Sequence, residues 1–267
     1  MSKIVYLLGA GASCNCLPTV TQIKDRIPIL IENLKNDKYL LNDQHPLIEG
    51  KLNLEVIDRF IEDLAWMNDL NSNHYSIDTV AKKFYLISDH KNYRRLKLII
   101  SNYFLIEQKL NKPDNRYDFF FASILSDGIR LPRDMKILSW NYDNQFELSF
   151  SEYCQDKEIN TARYNLQVHE KFYKGIYQVD DPFIYRINGS FGQFSKDGSY
   201  NSFLNMFQST ERDFIRNIIV NHFSILNSSN FYSGLSYSWE HPGITSQWIE
   251  KIMEDCEVLV SIGYSFP

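Results

Sequence analysis

Four short clusters in this sequence hold residue types that could do chemistry. The first, Gly9-Ala10-Gly11-Ala12-Ser13, follows an apolar run from Ile4 to Leu8. Glycine lets a backbone turn sharply and approach a ligand, and a helix starting near Ser13 would aim free amides at an anion such as a pyrophosphate. A strand, a glycine turn and a helix start are the ingredients of dinucleotide binding, although without a third glycine a plain strand-to-helix turn reads the same way. The second cluster is Ser139-Trp140-Asn141-Tyr142-Asp143, whose Asn141 and Asp143 would equally suit caps for a following helix. The third, Arg186-Ile187-Asn188-Gly189-Ser190, contains a common turn dipeptide, and the fourth, Gly263-Tyr264-Ser265, reads alone as a loop. Each follows a strand-like run. Open α/β sheets collect ligand contacts at the carboxyl ends of their strands, so the four together point to one site.

The elements that must hold these clusters follow from hydrophobic spacing. Strands are expected over Ile4–Leu8, Met135–Trp140, Tyr164–Val168, Phe183–Ile187 and Glu257–Ile262. A helix capped by Thr19 or Thr21 should reach about Leu34, kinked or split at Pro28. Beyond a polar loop, Leu54, Ile57, Phe60, Ile61 and Leu64 fall at helical spacing, as do Val80, Ala81, Phe84 and Ile87 behind the cap Ser76. Leu96, Ile99, Ile100, Tyr103 and Phe104 continue the pattern, so residues from about 40 to 112 read as an all-helical insertion. Its amphipathic helices should cover the pocket or form a contact between subunits. Further helices are expected over Tyr117–Leu125, Phe203–Leu226 and Ile244–Asp255. Strands alternating with helices give an α/β fold with a mostly parallel, Rossmann-like sheet in one domain over 1–267. The sequence closes at a strand end, where such sheets place ligand loops, so a truncated C-terminus or a larger parent is expected.

Composition narrows the function classes. A net charge of −5 with dispersed Lys and Arg gives no nucleic-acid footprint, and no apolar run is long enough for a membrane span. The N-terminus leads straight into the first strand without a secretory pattern. Cys14, Cys16, Cys154 and Cys256 are too scattered for a disulfide scaffold, and Cys14-x-Cys16 has no second pair for a metal. Reduced thiols in a cytoplasmic protein holding no metal is the expectation.

In their order along the chain, Gly-Ala-Gly-Ala-Ser, Asn-Tyr-Asp, Asn-Gly-Ser and Gly-Tyr-Ser-Phe-Pro resemble the sirtuin-like family. More specifically they are similar to its bacterial branch, whose members hydrolyse NAD in defence against phage. Ser76-Ile77-Asp78-Thr79 and Ser236-Tyr237-Ser238-Trp239-Glu240 also look like segments of that branch. The likeness spans nearly the whole chain, with the glycine turn and the Asn-Tyr-Asp cluster its specific parts. It implies a Rossmann-like sheet that takes NAD as substrate, with a helical insertion where relatives carry a small zinc module. Position by position, Gly9, Ala10, Gly11 and Ser13 would face the phosphates, Asn141 and Asp143 the nicotinamide ribose, and Gly263 and Ser265 the adenosine half. Ala12, Thr19, Gly189, Ser190 and Tyr264 complete the NAD-binding set, with Asn141, Asp143 and Asn188 as catalytic residues.

Two departures shape the expected chemistry. Deacetylases of the family carry four zinc cysteines in two close pairs, which this chain lacks, so protein deacylation is not expected. The family also has a histidine where this chain has Asn188, and a carboxamide cannot take up a proton near neutral pH as an imidazole does. His169 is the one substitute the sequence suggests. The nicotinamide of NAD is a cationic pyridinium that leaves as a neutral base, so no general acid is required. Asp143 would stabilise positive charge on the ribose, and Asn141 would orient water or the ribose hydroxyls. The expected function is NAD hydrolysis to ADP-ribose and nicotinamide by an effector of abortive infection, working as a homo-oligomer or with a defence partner. A module that senses NAD or ADP-ribose without cleaving it, and a hydrolase or transferase for another nucleotide, are the alternatives.

Overall fold

The protein is described by a computed structural model over residues 3–19, 21–38, 54–127, 129–170, 183–195, 200–201, 206–240 and 242–264. Strands β1 (Lys3–Leu8), β2 (Met135–Ser139), β3 (Val168–Glu170), β4 (Ile184–Arg186) and β8 (Cys256–Ile262) form a parallel sheet. Its order is β3-β4-β2-β1-β8. From β1 the chain crosses to β2 on one side and later returns to lay β8 on the other. The strand order therefore reverses at β1, which puts the crevice at its carboxyl end.

The expected α/β, Rossmann-like fold is what the chain adopts, because its inner strands are apolar on both faces and both faces are covered. On one face Leu8, Ile137 and Ile184 pack with α5 (Asn115–Ile124), α6 (Gln145–Ser151) and α7 (Ile159–Asn165) through Phe121, Phe146, Phe150 and Ala162. On the other, Val5, Leu138 and Tyr185 meet Ile249 and Ile252 of α9 (Pro242–Met253).

The helical insertion has its own core. Helices α1 (Ile23–Asn36), α2 (Leu54–Asn73), α3 (Ile77–Leu86), α4 (His90–Leu110) and α8 (Glu211–Leu226) bury Leu30, Phe60, Leu64, Ile99 and Ile218 together. Ser76 caps α3 as expected, its hydroxyl accepting from the Thr79 amide. A buried polar link ties three of the helices: Asp63 meets His222 at 2.7 Å and pairs with Arg95, while the second ring nitrogen of His222 lies 3.0 Å from Asn102. Burial opposes ionisation of Asp63, yet hydrogen bonds from His222 and Arg95 bring its carboxyl below the usual range. The insertion packs on a small antiparallel sheet of β5 (Gly189–Ser195), β6 (Tyr200–Asn201) and β7 (Phe231–Leu235), order β6-β5-β7. Phe104 stacks on Phe191 at 4.8 Å, and the Ser101 hydroxyl accepts from the Gly192 amide. The start of the insertion, near residue 40, lies outside the described residues.

Several local expectations give way. No α-helix starts at Ser13; Ala10–Ser13 is one 3-10 turn, and α1 begins at Ile23 without a side-chain cap from Thr19 or Thr21. Pro28 does not split α1, which runs unbroken from Ile23 to Asn36; its missing amide leaves the Lys24 carbonyl without its usual donor. Tyr164–Val168 is not a strand. Ile159, Ala162 and Leu166 bury one helical face there, Gln167 turns the chain at φ 48°, and only Val168–Glu170 extends. Of the long helix expected from Phe203, that residue lies outside the described ones, and the helix that ends at Leu226 starts at Glu211, where the Thr210 hydroxyl accepts from the Asp213 amide. Among the described residues no helix is long and apolar enough to cross a membrane.

Candidate functional site

All four clusters leave the carboxyl edge of the parallel sheet and interlock. Beyond β1, the Trp140 amide donates to the Leu8 carbonyl at 2.9 Å and the Ile187 amide to the Ser139 carbonyl at 2.9 Å, so the clusters start side by side. Asn141 then reaches across, its Nδ2 donating to the Gly9 carbonyl at 2.9 Å. The Ser13 hydroxyl donates to Asp143 Oδ2 at 2.8 Å and lies 2.8 Å from the Tyr117 hydroxyl, from which it accepts. The other Asp143 oxygen accepts from the Gln145 amide at 3.1 Å, at the start of α6. Asp143 thus holds the first amide of α6 and the hydroxyl of the glycine turn at once, with one oxygen for each.

Arg186 lies beneath this layer. With 1% of its side chain exposed, it donates from one terminal nitrogen to both carboxylate oxygens of the fully buried Glu147, at 2.5 and 2.7 Å. It also donates to the Asp143 carbonyl and, at 3.4 Å, to that of Asn141. This guanidinium fixes the Asn141–Asp143 turn from below. Burial pushes the Asp143 carboxyl upward, while Arg186, the Gln145 amide and Ser13 pull against it. Burial likewise raises the Tyr117 phenol, which keeps its proton for Ser13. The Cys16 thiol, 3.3 Å from Gln145 Nε2, is pushed up to about 12 by burial and then by Asp143, so it stays a protonated, unreactive thiol.

The third cluster joins through backbone and carboxamide. Asn188 Nδ2 donates to the Trp140 carbonyl at 3.0 Å, and the Asn188 carbonyl accepts from the Ser236 amide at 2.8 Å. Gly189, at φ 73°, opens β5 where a Cβ would stand 2.0 Å from the Gly234 carbonyl oxygen, and Ser190 behind it is fully buried. The fourth cluster closes over the first. The Gly9 amide donates to the Ile262 carbonyl at 2.9 Å and the Gly11 amide to the Gly263 carbonyl at 2.8 Å. Gly263 sits at φ 63°, where a Cβ would fall 2.1 Å from the Ala12 nitrogen. Tyr264 meets Trp140 edge to face at 5.6 Å.

This closure changes the meaning of the glycine turn. Two of its amides serve the end of β8, so its glycines provide close backbone contact in addition to any ligand role. The cation nearest the turn is Arg116, half-exposed, which donates to the Ala12 carbonyl at 3.0 Å and pairs with Asp114 at 2.6 Å. Beside Asp143 the Asn144 carboxamide is buried with neither atom partnered, and two further acceptors stand open. Asn188 Oδ1 is buried without a partner, and Asn141 Oδ1 has none among the described residues. A pair of free carboxamide oxygens suits a hydroxyl-bearing ligand such as a ribose.

Of the residues singled out in the sequence, Gly9 to Ser13, Asn141, Asp143, Asn188, Gly189, Ser190, Gly263 and Tyr264 come together at this edge. Thr19 does not: it bonds locally with Thr21 and Gln22 at the start of α1. Ser265 lies outside the described residues. His169 is buried on β3, tilted against Tyr185 at 5.4 Å, and burial lowers its pKa. Sequence reasoning missed Tyr117, Arg116, Gln145 and Glu147, and gave Arg186 no role. An arginine at the end of a strand otherwise apolar was the one visible signal. Among the described residues no three His, Cys, Asp or Glu side chains gather as a metal site. A cavity of about 630 Å³ opens at the opposite ends of the strands and is lined by none of the four clusters. Compared with known proteins, the chain matches no family model and no curated protein.

Proposed function

We propose that the chain binds NAD at the carboxyl edge of its parallel sheet and hydrolyses the nicotinamide–ribose bond. The observation that carries this reading is the meeting of four strand-end clusters at one edge of the sheet, where the carboxamide oxygens of Asn141 and Asn188 have no partner among the described residues. Both accept hydrogen bonds and so fit the hydroxyls of a ribose. For the diphosphate the fit is narrower, since the Gly9 and Gly11 amides are engaged and Arg116 supplies the cation. In the reaction the C1′–N bond breaks and its electron pair neutralises the pyridinium. Water then adds at C1′ and releases a proton. Asn141 orients the ribose or the water, and Asp143, held by Ser13 and Gln145, places a carboxyl beside the developing positive charge.

The resemblance to bacterial sirtuin-like NAD hydrolases supports a wider reading: a cytoplasmic anti-phage effector of abortive infection, acting as a homo-oligomer or with a defence partner. Incubating the chain with NAD and following free nicotinamide is the direct test. Release that Asn141→Ala abolishes supports the reading; release that survives the substitution overturns the site.

One observation favours a second reading, a module that senses NAD or ADP-ribose without cleaving it. Asn188 is already tied to the Trp140 carbonyl, and a carboxamide takes up no proton from a hydroxyl. A chain that binds NAD without turnover, and gains turnover with a pH dependence near 6.5 on Asn188→His, would establish the sensing module.

A further inference from the structure

The cavity at the amino ends of the strands has a distinct composition. Arg130, Arg133 and Lys136 line it with Asn165 and Gln167, and Leu131, Pro132 and Phe183 supply an apolar wall. No Asp or Glu is among the described residues that line it, although the chain as a whole carries a net charge of −5. Asp127 and Asp134 flank these residues in sequence but are not in the lining. Arg130 and Arg133 are exposed, and among the described residues neither guanidinium is held by a carboxylate. Lys136 is buried in β2. Two exposed guanidiniums at the rim of a recess with an apolar wall bias it towards an anion.

The backbone around the recess is held in costly conformations. Ile129 and Gln167, both in the lining, have φ of 59° and 48°. Positive φ is strongly disfavoured for a β-branched residue such as isoleucine. The Ser126 and Arg130 backbones bond each other, closing the tight loop that presents Arg130. Such strain persists only where surrounding structure enforces it, and it gathers at ligand sites. The volume is in the range of small-molecule pockets. The recess is also separate from the carboxyl-edge site: Lys136 and Ser139 are three residues apart on one strand, about 10 Å.

We propose that this cavity is a second binding site, for a phosphate-bearing small molecule. The guanidinium forks of Arg130 and Arg133 match phosphate oxygens, and the apolar wall accommodates the organic part of the ligand.

Calorimetric titration of the 267-residue chain with pyrophosphate tests the phosphate half directly. Saturable binding is expected, weakened about a hundredfold in Arg130→Ser/Arg133→Ser, or about tenfold for each lost fork. The matched control is Lys24→Ser/Lys35→Ser, which removes the same charge from exposed positions on α1 and should bind as the parent does. Both arginines are exposed, so the variant should melt with the parent. Absence of saturable binding by the parent, undiminished binding by the arginine variant, or equal weakening in the lysine control would each overturn the proposal.

Discussion

At the carboxyl ends of the strands Arg186 is enclosed, donating to Glu147 and to the Asp143 and Asn141 carbonyls, with Glu170 4.0 Å from its Nε. At the amino ends of the same sheet Arg130 and Arg133 stand exposed around an open recess. One residue type therefore does two jobs. An enclosed guanidinium costs much desolvation energy and is kept only where its donors fix other groups, here the turn that carries Asn141 and Asp143. Exposed guanidiniums cost little and remain free to meet something from outside. Polarity of residue type alone does not separate a positioning group from a binding group; enclosure does.

The largest expected effect comes from breaking that contrast at its enclosed side. Arg186→Ala strands the buried Glu147 carboxylate and should cost about 3–5 kcal/mol in urea unfolding, whereas Arg133→Ala should leave the midpoint unchanged. In Arg186→Met/Glu147→Leu the uncompensated charge is gone, so most of the stability should return. The turn carrying Asn141 and Asp143 would still lack its clamp, so nicotinamide release should stay low. Recovery of both together would show that Arg186 does not position the site.

Gly263→Ala comes next. At φ 63°, with a Cβ 2.1 Å from the Ala12 nitrogen, alanine must push the glycine turn and the end of β8 apart. A loss of about 2 kcal/mol or more is expected from chemical denaturation, and an unchanged midpoint would deny the closure of the first cluster by the fourth. Asn141→Ala should cost only about 1 kcal/mol, the worth of its bond to the Gly9 carbonyl, while removing nicotinamide release. Stability and activity therefore separate at Asn141.

The smallest effect concerns pH. Burial, chiefly, and Lys251 hold the His169 pKa below its usual value, against Glu170. Below about pH 6.5 the unfolded chain binds more protons at this residue than the folded one, so stability falls as the pH drops. His169→Phe should flatten the stability profile below about pH 6.5. A profile of unchanged slope would rule out His169 as the source of acid sensitivity.

Much of the fold was legible in the sequence because its signals are local. The apolar runs of β1, β2 and β8, the spacing of Leu54, Ile57, Phe60 and Leu64, and the Ser76 cap are each decided within a few residues. Elements that depend on distant partners were not legible. Ala162 and Leu166 are buried only against Phe150 and Val168, and β5 is a strand because β7 pairs with it.

For the site, the sequence by itself determined which residues stand at strand ends, since apolar runs and the glycines after them mark those positions. Only the tertiary structure decided their states. It engaged the Gly9 and Gly11 amides with β8, put Arg186 under the Asn141–Asp143 turn, and left the Asn141 and Asn188 oxygens without partners. It also gathered Arg130, Arg133 and Lys136 with Asn165 and Gln167 around one recess at the other end. The physical reason is range: spacing along the chain sets local conformation, whereas burial and hydrogen-bond partners depend on residues far away in the sequence, as Asn141 does on Gly9.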